Sequence, residues 1–162
     1  MNDGSLFQNV HIVHVAGNGH IADYSDWATG NPSSDVVNME GWDEALFLVV
    51  KGAGAAGTMT LTIDSCDTAT PTTATPVAFQ YWTCTTPDVW SAMNEATAVG
   101  FVTTAGANQM YACRIKAAGL SGTNKYVRLD VNEVDGTATD GTIVCILSKG
   151  RYVHEVMDTV LT

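Results

Sequence analysis

Residues 45–64, ALFLVVKGAGAAGTMTLTID, decide the fold class. Residues 45–50 are continuously apolar, too few for a typical helix and rich in large or β-branched side chains, which indicates a central strand covered on both faces. Residues 58–64 alternate apolar and polar side chains, the pattern of a half-buried strand. Since a strand and not a helix follows the small residues 52–57, we interpret them as a hairpin turn and not as a dinucleotide site.

Both strand patterns recur along the chain. Residues 125–133 alternate, and residues 142–148 are continuously apolar. Weaker strand candidates lie at 9–15, 35–39, 77–84, 98–103 and 109–116. We therefore predict an all-β fold, an antiparallel, jelly-roll-like β-sandwich of eight or nine strands. One short helical turn is predicted over 88–96, capped by Asp88.

The length of 162 residues predicts a single domain. We assign residues 1–150 to the β-sandwich, with a long polar, glycine-rich arm at 17–34. Residues 67–76 are low in complexity and are predicted to form a surface loop. Residues 151–162 form a C-terminal tail whose apolar side chains need a surface to lie on, and Val156, Met157 and Leu161 are its candidate contact residues.

Charge and hydropathy exclude several classes of partner. The chain has 7 Lys and Arg against 17 Asp and Glu, a net charge of −10. We therefore expect no nucleic-acid partner, because such a protein must neutralise phosphates. No apolar run approaches the roughly 18 residues of a membrane helix, and residues 1–10 lack the features of a secretory signal, so we expect no membrane association.

No motif in the chain indicates an enzyme, a cofactor or a metal site. The four cysteines, at 66, 84, 113 and 145, lack metal-ligand spacing, and we expect them to be mostly reduced. Cys66 and Cys84 flank the low-complexity loop, so a disulfide across a hairpin stays an alternative. The acidic residues between 23 and 44, Glu44 among them, are irregularly spaced and predict a solvated acidic face.

Two tryptophans are candidate partner contacts. Trp27 lies in the polar arm, where an aromatic side chain often anchors into a partner's pocket, although packing on its own domain is an equal alternative. Trp42 lies next to a predicted turn and is the second candidate.

Three segments, taken in order, carry a resemblance to a known family. They are SLFQNVHIV at 5–13, ALFLVVKGAGAAGTMTLTI at 45–63, and CILSKGRYV at 145–153, in which Ile146, Leu147, Ser148, Arg151 and Tyr152 form the closing pattern. Together they resemble small all-β proteins of tailed bacteriophages, encoded near the major capsid protein. The resemblance implies a virion structural role, and it makes Arg151 and Tyr152 candidates for fixing the exit of the closing strand.

The function that we expect from this resemblance is capsid decoration. The protein would be made in the host cytoplasm and would cement the outside of the phage head. Its partners would be the major capsid protein and further copies of itself, as a homotrimer or another symmetric oligomer. Two alternatives remain: a head–tail connector or tail component, and a carbohydrate-binding β-sandwich in which Trp27, Trp42 or Trp90 stacks on sugars.

Overall fold

The computed structural model describes residues 10–15, 31–52 and 57–150. In this part the regular structure is eleven strands and one 3₁₀ turn, Ala117–Gly119, with no α-helix and thus no helix long and apolar enough to span a membrane. The strands are β1 (Val10–His14), β2 (Val37–Asn38), β3 (Trp42–Lys51), β4 (Met59–Cys66), β5 (Ala74–Val77), β6 (Phe79–Cys84), β7 (Asn94–Ala96), β8 (Phe101–Val102), β9 (Met110–Lys116), β10 (Tyr126–Glu133) and β11 (Gly141–Gly150).

The strands form two antiparallel sheets. The six-stranded sheet has the order β1-β11-β3-β9-β6-β7, and the five-stranded sheet has the order β2-β10-β4-β5, with β8 also paired to β4. Strands β1, β11, β3 and β9 of the first sheet and β2, β10, β4 and β5 of the second follow the two-sheet order of a jelly roll. The predicted all-β sandwich is thus confirmed. The described residues form more strands than the predicted eight or nine, because β6, β7 and β8 extend the two sheets.

The core lies between the sheets and follows from the alternation of side chains along each strand. Ala45, Phe47 and Val49 of β3 point into it from the six-stranded sheet. Leu129 and Val131 of β10 face them from the five-stranded sheet. At one side of the sandwich, where the chain passes from β5 to β6 and so from one sheet to the other, Tyr81 and Phe101 stack with ring centroids 3.8 Å apart.

The predicted hairpin at 52–57 is wrong. Strands β3 and β4, which flank it, lie in different sheets, and β3 pairs with β9 and β11 instead. A strand that is apolar on both faces gains most from a central position with two neighbours, so the connection crosses between the sheets. Residues 53–56 themselves lie outside the described part.

Two local predictions also need correction. The stretch 88–96 is not helical: Asp88 has a φ of +61°, and β7 forms there because Asn94 pairs with Tyr81 of β6. The low-complexity loop is shorter than predicted, since β5 takes up its end. The Asp67 carboxylate accepts hydrogen bonds from the backbone N–H groups of Thr72 and Thr73, which tightens the loop enough for β5 to pair with β4.

Candidate functional site

An apolar groove of about 430 Å³ runs across the outer face of the six-stranded sheet. It crosses four neighbouring strands, β11, β3, β9 and β6, and the loop after β6 contributes one wall. The side chains that line it are Glu44, Leu46, Leu48, Trp82, Trp90, Ala112, Arg114, Ile146 and Ser148. Most of them are apolar, so the groove can bind apolar side chains of a partner.

The groove follows from the apolar runs of β3 and β11. One set of alternate side chains fills the core, and the other set, Leu46, Leu48 and Ile146 among them, points outward. The strand register places Ile146 beside Leu46 and Leu46 beside Arg114. Both strands are central, as predicted, but the described residues leave their outer face half-exposed instead of covered. Ile12 of β1 continues this apolar face and is 47% exposed.

Two tryptophans form one wall of the groove. Trp82 lies on β6, and the Arg114 guanidinium sits 5.2 Å from the centroid of its ring. Arg114 also donates hydrogen bonds to Gln80 Oε1, one of them from Nε at 3.1 Å. These contacts orient the Trp82 ring and the Arg114 guanidinium relative to each other.

Trp90 reaches the groove on the loop that follows β6. Ser91 holds this loop against β6, because Ser91 N–H donates to the Thr83 carbonyl at 2.8 Å and Ser91 Oγ accepts from Thr83 N–H at 3.0 Å. Trp90 stays 43% exposed. An exposed tryptophan beside an apolar groove is typical of a binding surface.

A charged cluster closes one end of the groove. Glu44 Oε1 lies 2.8 Å from Lys149 Nζ and 3.9 Å from Arg114 Nη1. Glu44 was predicted to belong to a solvated acidic face, and this is wrong: it is only 8% exposed, because the two cations pair with it. Lys149 has a φ of +57°, so the end of β11 departs from regular strand geometry.

Two further polar clusters lie away from the groove. Asp64 and Asp130, on the outer face of the five-stranded sheet, share Arg128, whose Nη2 is 3.0 Å from Asp64 Oδ2 and whose Nε is 3.2 Å from Asp130 Oδ1. Burial, and next the hydrogen bond with Asp64, raise the pKa of Asp130 to about 6. Charges that are paired in this way affect the stability of the fold, and their arrangement does not require a ligand.

The second cluster is a buried ammonium group at one end of the sandwich. Lys51 is 2% exposed, and its Nζ donates to the carbonyls of Gly57 at 2.7 Å and Thr104 at 3.0 Å and to Gln109 Oε1 at 3.4 Å. Burial lowers the pKa of Lys51, and the Asp135 carboxylate opposes that shift. All of its donors are used within the protein, which makes it a structural clamp.

One of the predicted contact residues lies in the described part. Trp42, at the start of β3, is half-buried against the core, and its ring centroid is 6.3 Å from that of His11. Its indole N–H is buried and has no hydrogen-bond partner among the described residues. The other predicted contacts lie outside the described residues; they are Trp27, Arg151, Tyr152, Val156, Met157 and Leu161.

Sequence reasoning missed the groove itself. Leu46, Leu48 and Ile146 were assigned to strands buried on both faces, and no pattern in the chain brings Trp82 beside Arg114. The feature of the sequence that could have indicated the groove is that residues 45–50 and 142–148 are apolar on both faces. Such a strand exposes an apolar face whenever its sheet has no second layer.

The described residues hold neither a metal-binding cluster nor a disulfide. Residues 10–15, 31–52 and 57–150 contain no group of three or more His, Cys, Asp and Glu side chains placed to hold a metal ion. All four cysteines are free and buried. Cys66 lies on β4 and Cys84 on β6, in different sheets, so no hairpin joins them, and both thiols are free, contrary to the alternative of a disulfide between them.

Comparison with known proteins gives little further information. No protein-family model matches the chain, and no curated protein matches it. Among solved structures, the chain is similar to the SPBc2 prophage-derived protein YomS, with 13% sequence identity and a TM-score of 0.45. The match covers 87% of this chain and 94% of that one. The function has to be inferred from the residues of the chain itself.

Proposed function

We propose that the chain is a non-enzymatic structural protein of a tailed-phage virion, which binds the outside of the head and stabilises it. The observation that carries the proposal is the open apolar groove on the six-stranded sheet. A contiguous apolar surface of this kind marks a contact with another protein. The family-like closing pattern at 146–152 supports the choice of a phage particle, and the jelly-roll order is compatible with it.

The mechanism that follows is mechanical. Packaged DNA pushes the shell outward, and a protein that bridges neighbouring capsid subunits adds buried interface that resists the expansion. The net charge of −10 favours the exterior, because DNA on the inside would repel an acidic protein. Such a protein needs contact surfaces and a stable scaffold but no nucleophile or cofactor.

The test is a copy count on purified particles of the virus that encodes the chain. Quantitative mass spectrometry, referenced to the major capsid protein, should find the chain in hundreds of copies, as a head coat requires. About a dozen copies would instead indicate a connector or tail component. Absence from the particle would overturn the virion role altogether.

A carbohydrate-binding role is the second candidate, and the pair of tryptophans in the groove favours it. Trp82 and Trp90 could stack on a sugar ring, with Arg114 nearby as a hydrogen-bond donor. It ranks second because Arg114 and Glu44 are already paired within the protein, which leaves few free polar groups for sugar hydroxyls. If the protein binds a glycan array and Trp90→Ala abolishes this binding without changing the melting temperature, carbohydrate binding becomes the favoured function.

A further inference from the structure

The chain itself contains a segment whose pattern matches the groove. Residues 153–161, VHEVMDTVL, place their apolar side chains at the spacing i, i+3, i+4, i+7 and i+8, which is one face of a helix. We propose that residues 153–161 of a second copy of this chain bind as an amphipathic helix in the groove on the six-stranded sheet. The proposal deepens the assembly role above and rests on the groove being a protein-docking surface.

The dimensions of the two parts agree. The groove crosses β11, β3, β9 and β6, three strand spacings or about 14 Å, and a helix with its side chains is about 10–12 Å wide. Along the strands it extends from the level of Ser148 to that of Leu48, which is paired with Val144. The four steps between Val144 and Ser148 span about 13 Å, and nine helical residues are about 14 Å long.

The charges of the two parts are complementary. The rim of the groove carries Arg114 and Lys149, and its one acidic side chain, Glu44, is already paired with both. The polar side of the segment carries Glu155 and Asp158, three residues apart and so on the same flank of a helix. Binding in the groove brings these carboxylates near the two basic groups, which favours one orientation.

The short connection to the segment favours binding to a second copy over binding to the groove of its own chain. Gly150 is still paired with Trp42 in the sheet, and only three Cα steps lead from it to Val153. Fully extended, three steps span about 10–11 Å, close to the roughly 10 Å that separate the sheet from a helix layer above it. To bind its own groove, the chain would also have to reverse direction within Arg151 and Tyr152 and pass the ion pair of Lys149 with Glu44, a residue that lines the near end of the groove. A second copy meets no such limit.

Light scattering on the full chain, with complementing variants, tests the proposal. Wild type should measure as an oligomer, and Leu48→Glu in the groove and Val156→Asp in the segment should each measure as a single chain. Mixing the two variants should raise the mass to that of a pair, because one intact groove then meets one intact segment. Val99→Glu, on an exposed valine outside the groove, and Thr159→Asp, on the polar side of the segment, are the matched controls and should stay oligomeric.

Several outcomes would overturn the proposal. A monomeric wild type, a mixture that stays monomeric, or variants that stay oligomeric would each do so. If Leu48→Glu lowers the melting temperature, Trp90→Ser replaces it, since that side chain is exposed on a loop. The particle copy count is independent: an oligomer that is absent from virions refutes the proposed function but leaves the pairing of groove and segment intact.

Discussion

Lys51 should hold one end of the sandwich together, and Lys51→Met should lower the free energy of unfolding by about 3 kcal/mol. Its ammonium group joins the end of β3 to the nearby Gly57 carbonyl and to a distant part of the chain, through the Thr104 carbonyl and the side chain of Gln109. Methionine keeps the length of the side chain but donates no hydrogen bond. The buried acceptors then lose their shared donor.

The magnitude follows from two opposing contributions. Hydrogen bonds from a charged donor contribute about 1.5–3 kcal/mol each, so three of them amount to about 4.5–9 kcal/mol. Against this, the variant no longer has to remove an ammonium from water, which costs several kcal/mol. The difference of about 3 kcal/mol corresponds to a melting temperature about 6–12 °C lower for a domain of this size.

Urea unfolding followed by tryptophan fluorescence measures this directly. The midpoint should fall while the slope with urea stays constant, because the surface exposed on unfolding is unchanged. Lys116→Met, on an exposed lysine of β9, is the matched control and should change the stability by less than about 0.5 kcal/mol. A Lys51→Met protein as stable as wild type would mean that desolvation cancels the three bonds, and the clamp interpretation would be refuted.

Three further predictions concern other parts of the sandwich. The raised pKa of Asp130 means that its contribution to stability is full below about pH 3.8 and is lost as the pH rises through about 6; Asp130→Asn should remove a pH dependence on the order of 3 kcal/mol from urea titrations, and an unchanged profile would contradict it. Burial raises the thiol pKa of Cys113 and Cys145, so Ellman's reagent should modify them only in denaturant, and rapid modification of the native protein would argue against their burial. Gly100→Ala should lose about 2–4 kcal/mol, because φ is +76° and the added Cβ would meet the Leu61 carbonyl oxygen at 2.1 Å; a melting temperature equal to that of wild type would disprove this.

The strands were predictable because each carries its own local signal. Alternation in 58–64 and 125–133 located β4 and β10 to within two residues, and the apolar runs located β3 and β11 as central strands. Sheet membership was not predictable in the same way. Whether 52–57 forms a hairpin depends on which strands pair with β3, and that is decided by contacts across the whole chain.

The candidate site was less predictable than the fold. Trp82 and Arg114 meet only because β6 pairs with β9, and Trp90 joins them through the pairing of Ser91 with Thr83. Neither pairing can be predicted from the local sequence. The sequence shows that both faces of β3 are apolar. It does not show whether the outer face is covered, because that depends on how many layers of secondary structure pack on the sheet.

The pairing of β1 with β11 has a consequence for synthesis in the cell. Val10 lies opposite Ser148, so the six-stranded sheet stays incomplete until β11 has left the ribosome. Between β3 and β11 lie 89 residues, which take about 4–18 s at ordinary rates of translation. During that interval the apolar strand β3 lacks β11 on one edge, and until β9 has been made it lacks both neighbours, so it is prone to pair with another nascent chain. Slower transcription or lower temperature, which reduces the number of such chains present together, should therefore raise the soluble yield.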